Sequence, residues 1–224
     1  MIEPLSVIMR AFFIDDVLAD IRESYNISPG SSVPAVIMEN GKRTLTQFRW
    51  GLVPGWVKDK SIGNRLINAR SETVTEKPSF RDAVKKRRCL IIASGFFEWK
   101  KEGRERTPFY ICPDDEKPFG LAGIYEHWRS QQGEELATCA ILTTRPNSLI
   151  ANVHDRMPVI IPHDLVEKWT DPASPQEEYL SMLDPYPSER MTMHRVSGEV
   201  NSPVNNSPQC IRPVQDGLFP EGVY

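Results

Sequence analysis

The stretch from Val33 to Trp50, VPAVIMENGKRTLTQFRW, decides the fold class. Two runs rich in apolar and β-branched residues, Val33 to Met38 and Thr44 to Trp50, flank Asn40-Gly41. That dipeptide readily takes the positive φ angles of a tight hairpin turn, so the spacing predicts two antiparallel strands. On the N-terminal side, Tyr25-Asn26-Ile27-Ser28-Pro29-Gly30 reads as a turn. Before it, Arg10 to Ile21 places Phe13, Val17, Leu18 and Ile21 at a helical spacing, which predicts one short helix.

On the C-terminal side, Gly51 to Trp56 loses periodicity, as binding loops often do. Ser79 to Lys86 reads as a helix whose basic end complements its dipole, and Lys85-Lys86-Arg87-Arg88 reads as a solvated helix end. Cys89 to Trp99 is the strongest single strand. Pro108 to Ile111, Gly120 to Tyr125, Leu136 to Thr144 and Met157 to Ile161 are further strands, with turns at Gly103 and Gly133. Helical patterns return at His163 to Trp169 and Pro175 to Leu183, and Met191 to Ser197 is a last strand. Residues 200–224, rich in Pro and Asn, read as an irregular and partly mobile tail. Many strands without regular βαβ alternation predict a single α+β domain over residues 1–224, with a largely antiparallel, barrel-like sheet and a few short helices.

The bulk chemistry narrows the function classes. At 224 residues the chain can bury a core of ordinary size, and its charged and hydrophobic fractions, 25% and 40%, fit a folded globular protein. A formal charge of −3 offers no global attraction for phosphate, so any nucleic-acid contact must be local. Cys89, Cys112, Cys139 and Cys210 lack metal-ligand spacing and read as reduced thiols, so no metal or cofactor is expected. No apolar run reaches membrane-spanning length and no signal peptide is visible, which predicts a cytoplasmic protein without membrane contact.

Four places can hold chemistry. Glu98 lies among aromatic residues in GFFEW, and strand alternation sends Phe96 and Glu98 to the face opposite Phe97 and Trp99. Desolvation there would raise its pKa toward the range of a general acid, although a plain surface glutamate is the alternative. His154 precedes an apolar strand in HDRMP and can pass protons near neutral pH, or simply be satisfied by Asp155. Asn68 and Arg70 share one side of an extended INAR segment and can hold a sugar and a phosphate; equally, Asn68 can tie a turn while Arg70 meets Glu72. Trp50 and Trp56 can stack on bases or anchor the loop between them.

Taken in order, YNISPG at Tyr25, WGLVPGW at Trp50, INAR at Ile67, GFFEW at Gly95 and HDRMP at His154 resemble the SRAP family, the SOS response-associated peptidases also called abasic site processing proteins. The resemblance covers about residues 24–214. It implies a monomeric domain that binds single-stranded DNA, recognises abasic sites in the DNA damage response, and traps the opened sugar covalently. By the same resemblance Asn68 would hold the sugar or nucleophile, Glu98 would steer protons at the amine, and His154 would help open the ring. Arg70, Thr143 and Arg156 match DNA or sugar contacts, and Trp50 and Trp56 lie in the loop bounding the strand.

Members of that family begin Met-Cys-Gly-Arg and use the freed N-terminal cysteine, whose amine and thiol close a thiazolidine on the sugar aldehyde. This chain begins Met1-Ile2-Glu3-Pro4, so its first 23 residues are atypical, Arg10 is no secure counterpart of the family arginine, and the thiol is missing. The internal cysteines have acylated nitrogens and cannot form that ring. An altered start is the expected reason. A bare Met1 amine could still form a Schiff base and cut the strand as a lyase. A self-processing peptidase and a noncatalytic single-strand binding module are the rival readings.

Overall fold

The computed structural model describes residues 1–214, and the elements below are those among the described residues. In chain order they are α1 (Leu5–Phe12), β1 (Asp16–Val17), β2 (Ser32–Glu39), β3 (Lys42–Trp50), β4 (Asn68–Arg70), α2 (Arg81–Lys86), β5 (Arg88–Ala93) and β6 (Phe96–Glu102). There follow β7 (Glu105–Pro113), β8 (Phe119–Arg129), β9 (Glu135–Thr144), β10 (Met157–Pro158), β11 (Ile160–Ile161), α3 (Val166–Thr170), α4 (Gln176–Ser181) and β12 (Met191–Arg195), with short 3₁₀ turns between them.

The larger sheet runs β1-β3-β2-β5-β8-β9-β10, and a parallel pairing of β3 with β9 closes its five central strands into a barrel. A second sheet runs β12-β7-β6. The α+β expectation is met, and the Asn40-Gly41 hairpin forms with both turn residues at positive φ, 51° and 75°.

Strand alternation builds two apolar layers. Val36, Leu45, Leu90, Ile92, Ala122, Ile124 and Leu142 pack with Ile8 and Phe12 of α1 and Trp169 of α3. Their neighbours Ala35, Ile37, Ile91, Leu121 and Ile141 face the other way and meet Ile111 and Met191 of the second sheet. Every residue of β5 is therefore buried, which is why its sequence is a continuous apolar run after Arg88.

Two expected elements need correction. The predicted helix over 10–21 lies instead at Leu5–Phe12; Phe13 ends it with φ 51° and is 71% exposed, and the chain then forms the short β1. The predicted strand Cys89–Trp99 is two strands in different sheets, broken at Ser94-Gly95. A Cβ on Gly95 would lie 2.2 Å from the Tyr110 ring, so the corner needs glycine to let that ring cross it. Within the predicted irregular tail, Val200 and Cys210 are buried, and residues 215–224 lie outside the described residues.

Arg88 corrects the predicted solvated helix end. It is 2% exposed, its Nε donates to the Trp169 carbonyl (2.7 Å) and its Nη1 to the carbonyls of Val84 (2.8 Å) and Lys85 (3.0 Å), while Nη2 donates to that of Asp171. Its guanidinium also stacks on Tyr179 at 4.3 Å. One buried side chain thus ties α2, α3 and α4 to β5. No helix among the described residues is long and apolar enough to cross a membrane.

Candidate functional site

The barrel and the second sheet leave a cavity of about 480 Å³ between them. Its floor is apolar, formed by Val33, Ile91, Leu121 and Ile141 on the barrel face turned away from the helices. Polar groups gather at its rim: Asn68, Glu98, Thr143 and His154, with Met1 and Ser24. A largely apolar chamber with a few convergent polar groups is the usual form of a small-ligand site.

Each rim residue arrives from a different element. Asn68 opens β4, which runs parallel to β9 with Asn68 opposite Ile141 and Arg70 opposite Thr143. Trp50 lines the cavity and donates its indole N–H to the Ile67 carbonyl (2.9 Å), holding the segment that presents Asn68. Glu98 sits on β6, opposite Phe109 of β7. As expected from alternation, Phe96 joins the barrel-side layer, whereas Phe97 and Trp99 pack with the cluster around Tyr110. His154 follows a 3₁₀ turn, Ile150–Asn152, whose carbonyl at Ile150 accepts the His154 backbone N–H.

Glu98 and His154 meet. Nδ1 of His154 lies 3.8 Å from a Glu98 carboxylate oxygen and 3.4 Å from one of Asp155, so Asp155 and the cavity both engage the imidazole. Burial pushes the Glu98 carboxyl from its ordinary 4.5 up to about 7; nearby His154 opposes this and Asp155 adds to it. A carboxyl so placed holds its proton near neutrality and can donate it.

The N-terminus completes the rim. The Met1 amine donates to the Ser24 carbonyl (2.7 Å), the Ser24 N–H returns a bond to the Met1 carbonyl (2.8 Å), and the Ile2 N–H donates to Ser94 Oγ (3.1 Å). Burial lowers the amine from 8.0 to about 6, with Glu3 opposing, so much of it is unprotonated at pH 7. The wall beyond it is clamped by two asparagines. Asn206 Oδ1 accepts from the backbone N–H groups of Tyr25 (2.7 Å) and Asn26 (3.1 Å), and Asn26 Nδ2 donates to the carbonyls of Val200, Ser202 and Asn205. These contacts have no signature in periodicity; the Asn-rich composition of 201–206 is the signal that could have drawn attention to side-chain clamps.

Of the residues singled out from sequence, Asn68, Glu98, His154, Trp50 and Thr143 line one cavity. Arg70, Trp56 and Arg156 do not line it. Trp56 is 66% exposed at the end of its loop, and Arg70 is exposed on β4. Arg156 is bound instead to Glu72 by two bonds of 2.7 and 2.8 Å and to the Thr143 carbonyl. Glu72 is therefore the partner of Arg156 and not of Arg70. Glu72 is a residue that sequence reasoning weighed only as a surface mate.

Comparison with known proteins follows the same lines. The profile of the SOS response associated peptidase (SRAP) family matches residues 5–203. The abasic site processing protein YoqW of Bacillus subtilis is 41% identical over 208 residues, covering 91% of this chain and 93% of that protein. HMCES of Gallus gallus, also named an abasic site processing protein, is 32% identical over 230 residues, 88% of this chain and 68% of its own length. A crystal structure from Bacteroides thetaiotaomicron superposes with a TM-score of 0.77 at 34% identity, covering 83% of this chain and 82% of that one. Another from Bordetella bronchiseptica gives 0.74 at 26% identity, with 84% and 94% covered.

Proposed function

Because the chain belongs to the SOS response associated peptidase family, we propose that it recognises abasic sites in DNA during the damage response, with the opened sugar held in the cavity rimmed by Asn68, Glu98 and His154. The observation that carries this reading is the approach of Glu98 to His154, 3.8 Å apart, at the chamber that Asn68 and Met1 also line. The names of the relatives point to the same lesion. Single-stranded DNA is the preferred substrate, since a sugar must leave the stack to enter a pocket and that costs least where no partner strand holds it.

Asn68 offers both a donor and an acceptor to the sugar oxygens. His154 takes the proton from the sugar C1 hydroxyl as the ring opens to an aldehyde, Glu98 gives one to the departing ring oxygen, and the proton on His154 then returns to Glu98, 3.8 Å away. With Met1 as the first residue, its neutral amine adds to the aldehyde carbon: the N–C bond forms, the carbonyl pair moves to oxygen, and that oxygen takes the proton that the nitrogen gives up. A proton from Glu98 then releases it as water, leaving an iminium. Trp50 and Thr143 orient the strand at the rim, and Arg70 and Trp56 meet it outside the cavity.

The test uses a fluorescent single-stranded oligonucleotide carrying one abasic site, its intact counterpart, and borohydride to fix any imine. Preference for the lesion and a reduced adduct are expected, with the adduct diminished in Glu98→Gln and His154→Ala. Binding that ignores the lesion would overturn the reading in favour of a general single-strand binding module.

A further inference from the structure

The strand that brings Glu98 to the cavity continues outward as the β6–β7 hairpin, whose sequence from Lys100 to Arg106 is KKEGRER. Register sets Lys101 directly opposite Arg106, and Gly103 turns the chain at φ 61° beside Arg104. Like charges directly opposed on antiparallel strands destabilise the pairing. Lys100 is neutralised by Glu102 at 2.7 Å, but Lys101, Arg104 and Arg106 are exposed and have no ion-pair partner among the described residues. Three cations are thus held together at local cost in a chain whose formal charge is −3.

Their placement relates them to the site. Trp99 lines the cavity, and Lys101 follows it two residues on, on the same side of β6 and about 7 Å further along. The triad therefore lies on the same strand and hairpin as Glu98, beyond Trp99 of the cavity wall. We propose that Lys101, Arg104 and Arg106 form a phosphate-binding track for single-stranded DNA flanking the lesion. This rests on the DNA reading above and adds a contact surface to it.

A competing account is that these charges only protect β6, which is an edge strand of the second sheet, from pairing with other chains. Salt dependence separates the two. Each phosphate contact on a single strand adds about 0.7 to the slope of log affinity against log salt. The triple variant Lys101→Ala, Arg104→Ala, Arg106→Ala should bind the abasic oligonucleotide with a slope shallower by about 2. Its ratio of abasic to intact affinity should stay the same, because phosphates flank both. Its thermal stability should equal or exceed that of the parent, since opposed like charges are removed. Each single variant should give about a third of the change. A control lacking the charges of Lys42, Lys85 and Lys86 should leave the slope near that of the parent.

An unchanged slope in the hairpin variant, or an equal change in the control, would overturn the track, as would aggregation of the variant with DNA affinity intact. Absence of lesion preference in the parent protein would instead overturn the abasic-site reading itself, so the two failures remain distinguishable.

Discussion

Nδ1 of His154 is flanked by both ends of one residue's backbone: the Arg156 N–H points at it from 3.1 Å, and the Arg156 carbonyl lies 3.1 Å away. A bare Nδ1 accepts from the N–H, and a protonated one donates to the carbonyl. The imidazole can therefore change protonation state without turning, provided that Arg156 stays where it is.

Arg156 is kept there by Glu72 and by the Thr143 carbonyl. Replacing Glu72 with Ala removes both carboxylate bonds from a guanidinium that is 19% exposed but keeps its bond to the Thr143 carbonyl, so the loss of stability should be modest, about 1 kcal/mol. Capture of an abasic oligonucleotide should nevertheless slow by roughly tenfold or more, because small misplacements of a reacting group are costly. Initial rates of borohydride trapping beside a melting curve give both numbers. A large loss of stability with normal trapping would assign Glu72 a purely structural part.

Glu98 makes stability depend on pH. Its raised pKa means that folding favours the protonated carboxyl, so this contribution is complete below about 4.5 and is lost as pH rises through about 7. Glu98→Gln keeps the shape and removes the ionisation. The variant should match the parent at pH 4 and be more stable by on the order of 1–3 kcal/mol at pH 8. Urea denaturation at the two values measures the difference; a gap independent of pH would deny that Glu98 is desolvated in the folded state.

How much of this was legible in the sequence depends on how local the cause is. The Asn40-Gly41 hairpin and the turns at Gly103 and Gly133 follow from residues that tolerate positive φ, and the strands around them follow from their composition. Helix α1 is misplaced because Phe13, Val17 and Leu18 mimic an apolar stripe yet stay exposed, whereas the buried Ile8 and Phe12 lie earlier. The β5–β6 corner depends on Tyr110, and the solvated reading of Arg88 fails because its carbonyl partners Trp169 and Asp171, at the end of α3, are 81 and 83 residues away. Asn68, Glu98 and His154 stand out only through motif resemblance, and it is the packing of the second sheet against the barrel that brings them to one cavity. The clamp of Asn26 by residues 200–205 joins segments that no periodicity relates.

Arg88 should be the most costly single position in the helical layer. Burial lowers its pKa, with Tyr179 and Asp171 opposing, so its charge is retained through its carbonyl acceptors and the Tyr179 ring. Arg88→Met fills much of the volume but leaves those carbonyls short of a donor. A loss of about 3 kcal/mol or more is expected, read as a lower urea midpoint. Arg88→Lys should recover only part of it, since an ammonium cannot reach the carbonyls of Val84, Lys85, Trp169 and Asp171 at once.

Gly95→Ala tests the corner between the sheets. The added methyl meets the Tyr110 ring at 2.2 Å, and a ring that is 8% exposed has little room to retreat. Overpacking of this kind should cost about 1–3 kcal/mol. Pairing it with Tyr110→Leu should restore part of the loss, and simple additivity in the double-mutant cycle would place the clash elsewhere.

The last consequence joins the two perturbed groups of the rim. Iminium formation needs the Met1 amine without its proton and Glu98 with one. The first condition holds above about 6 and the second below about 7, so the rate of borohydride-trapped adduct should be bell-shaped with its maximum between them. Below the window the rate falls because the amine is protonated; above it the acid is lost. Glu98→Gln should lower the maximum and remove the alkaline limb while leaving the acid limb in place, because that limb belongs to the amine. Rates that climb steadily through pH 8 in the parent protein would mean that Glu98 donates no proton in this step, and an acid limb that vanished with Glu98→Gln would mean that the amine does not set it.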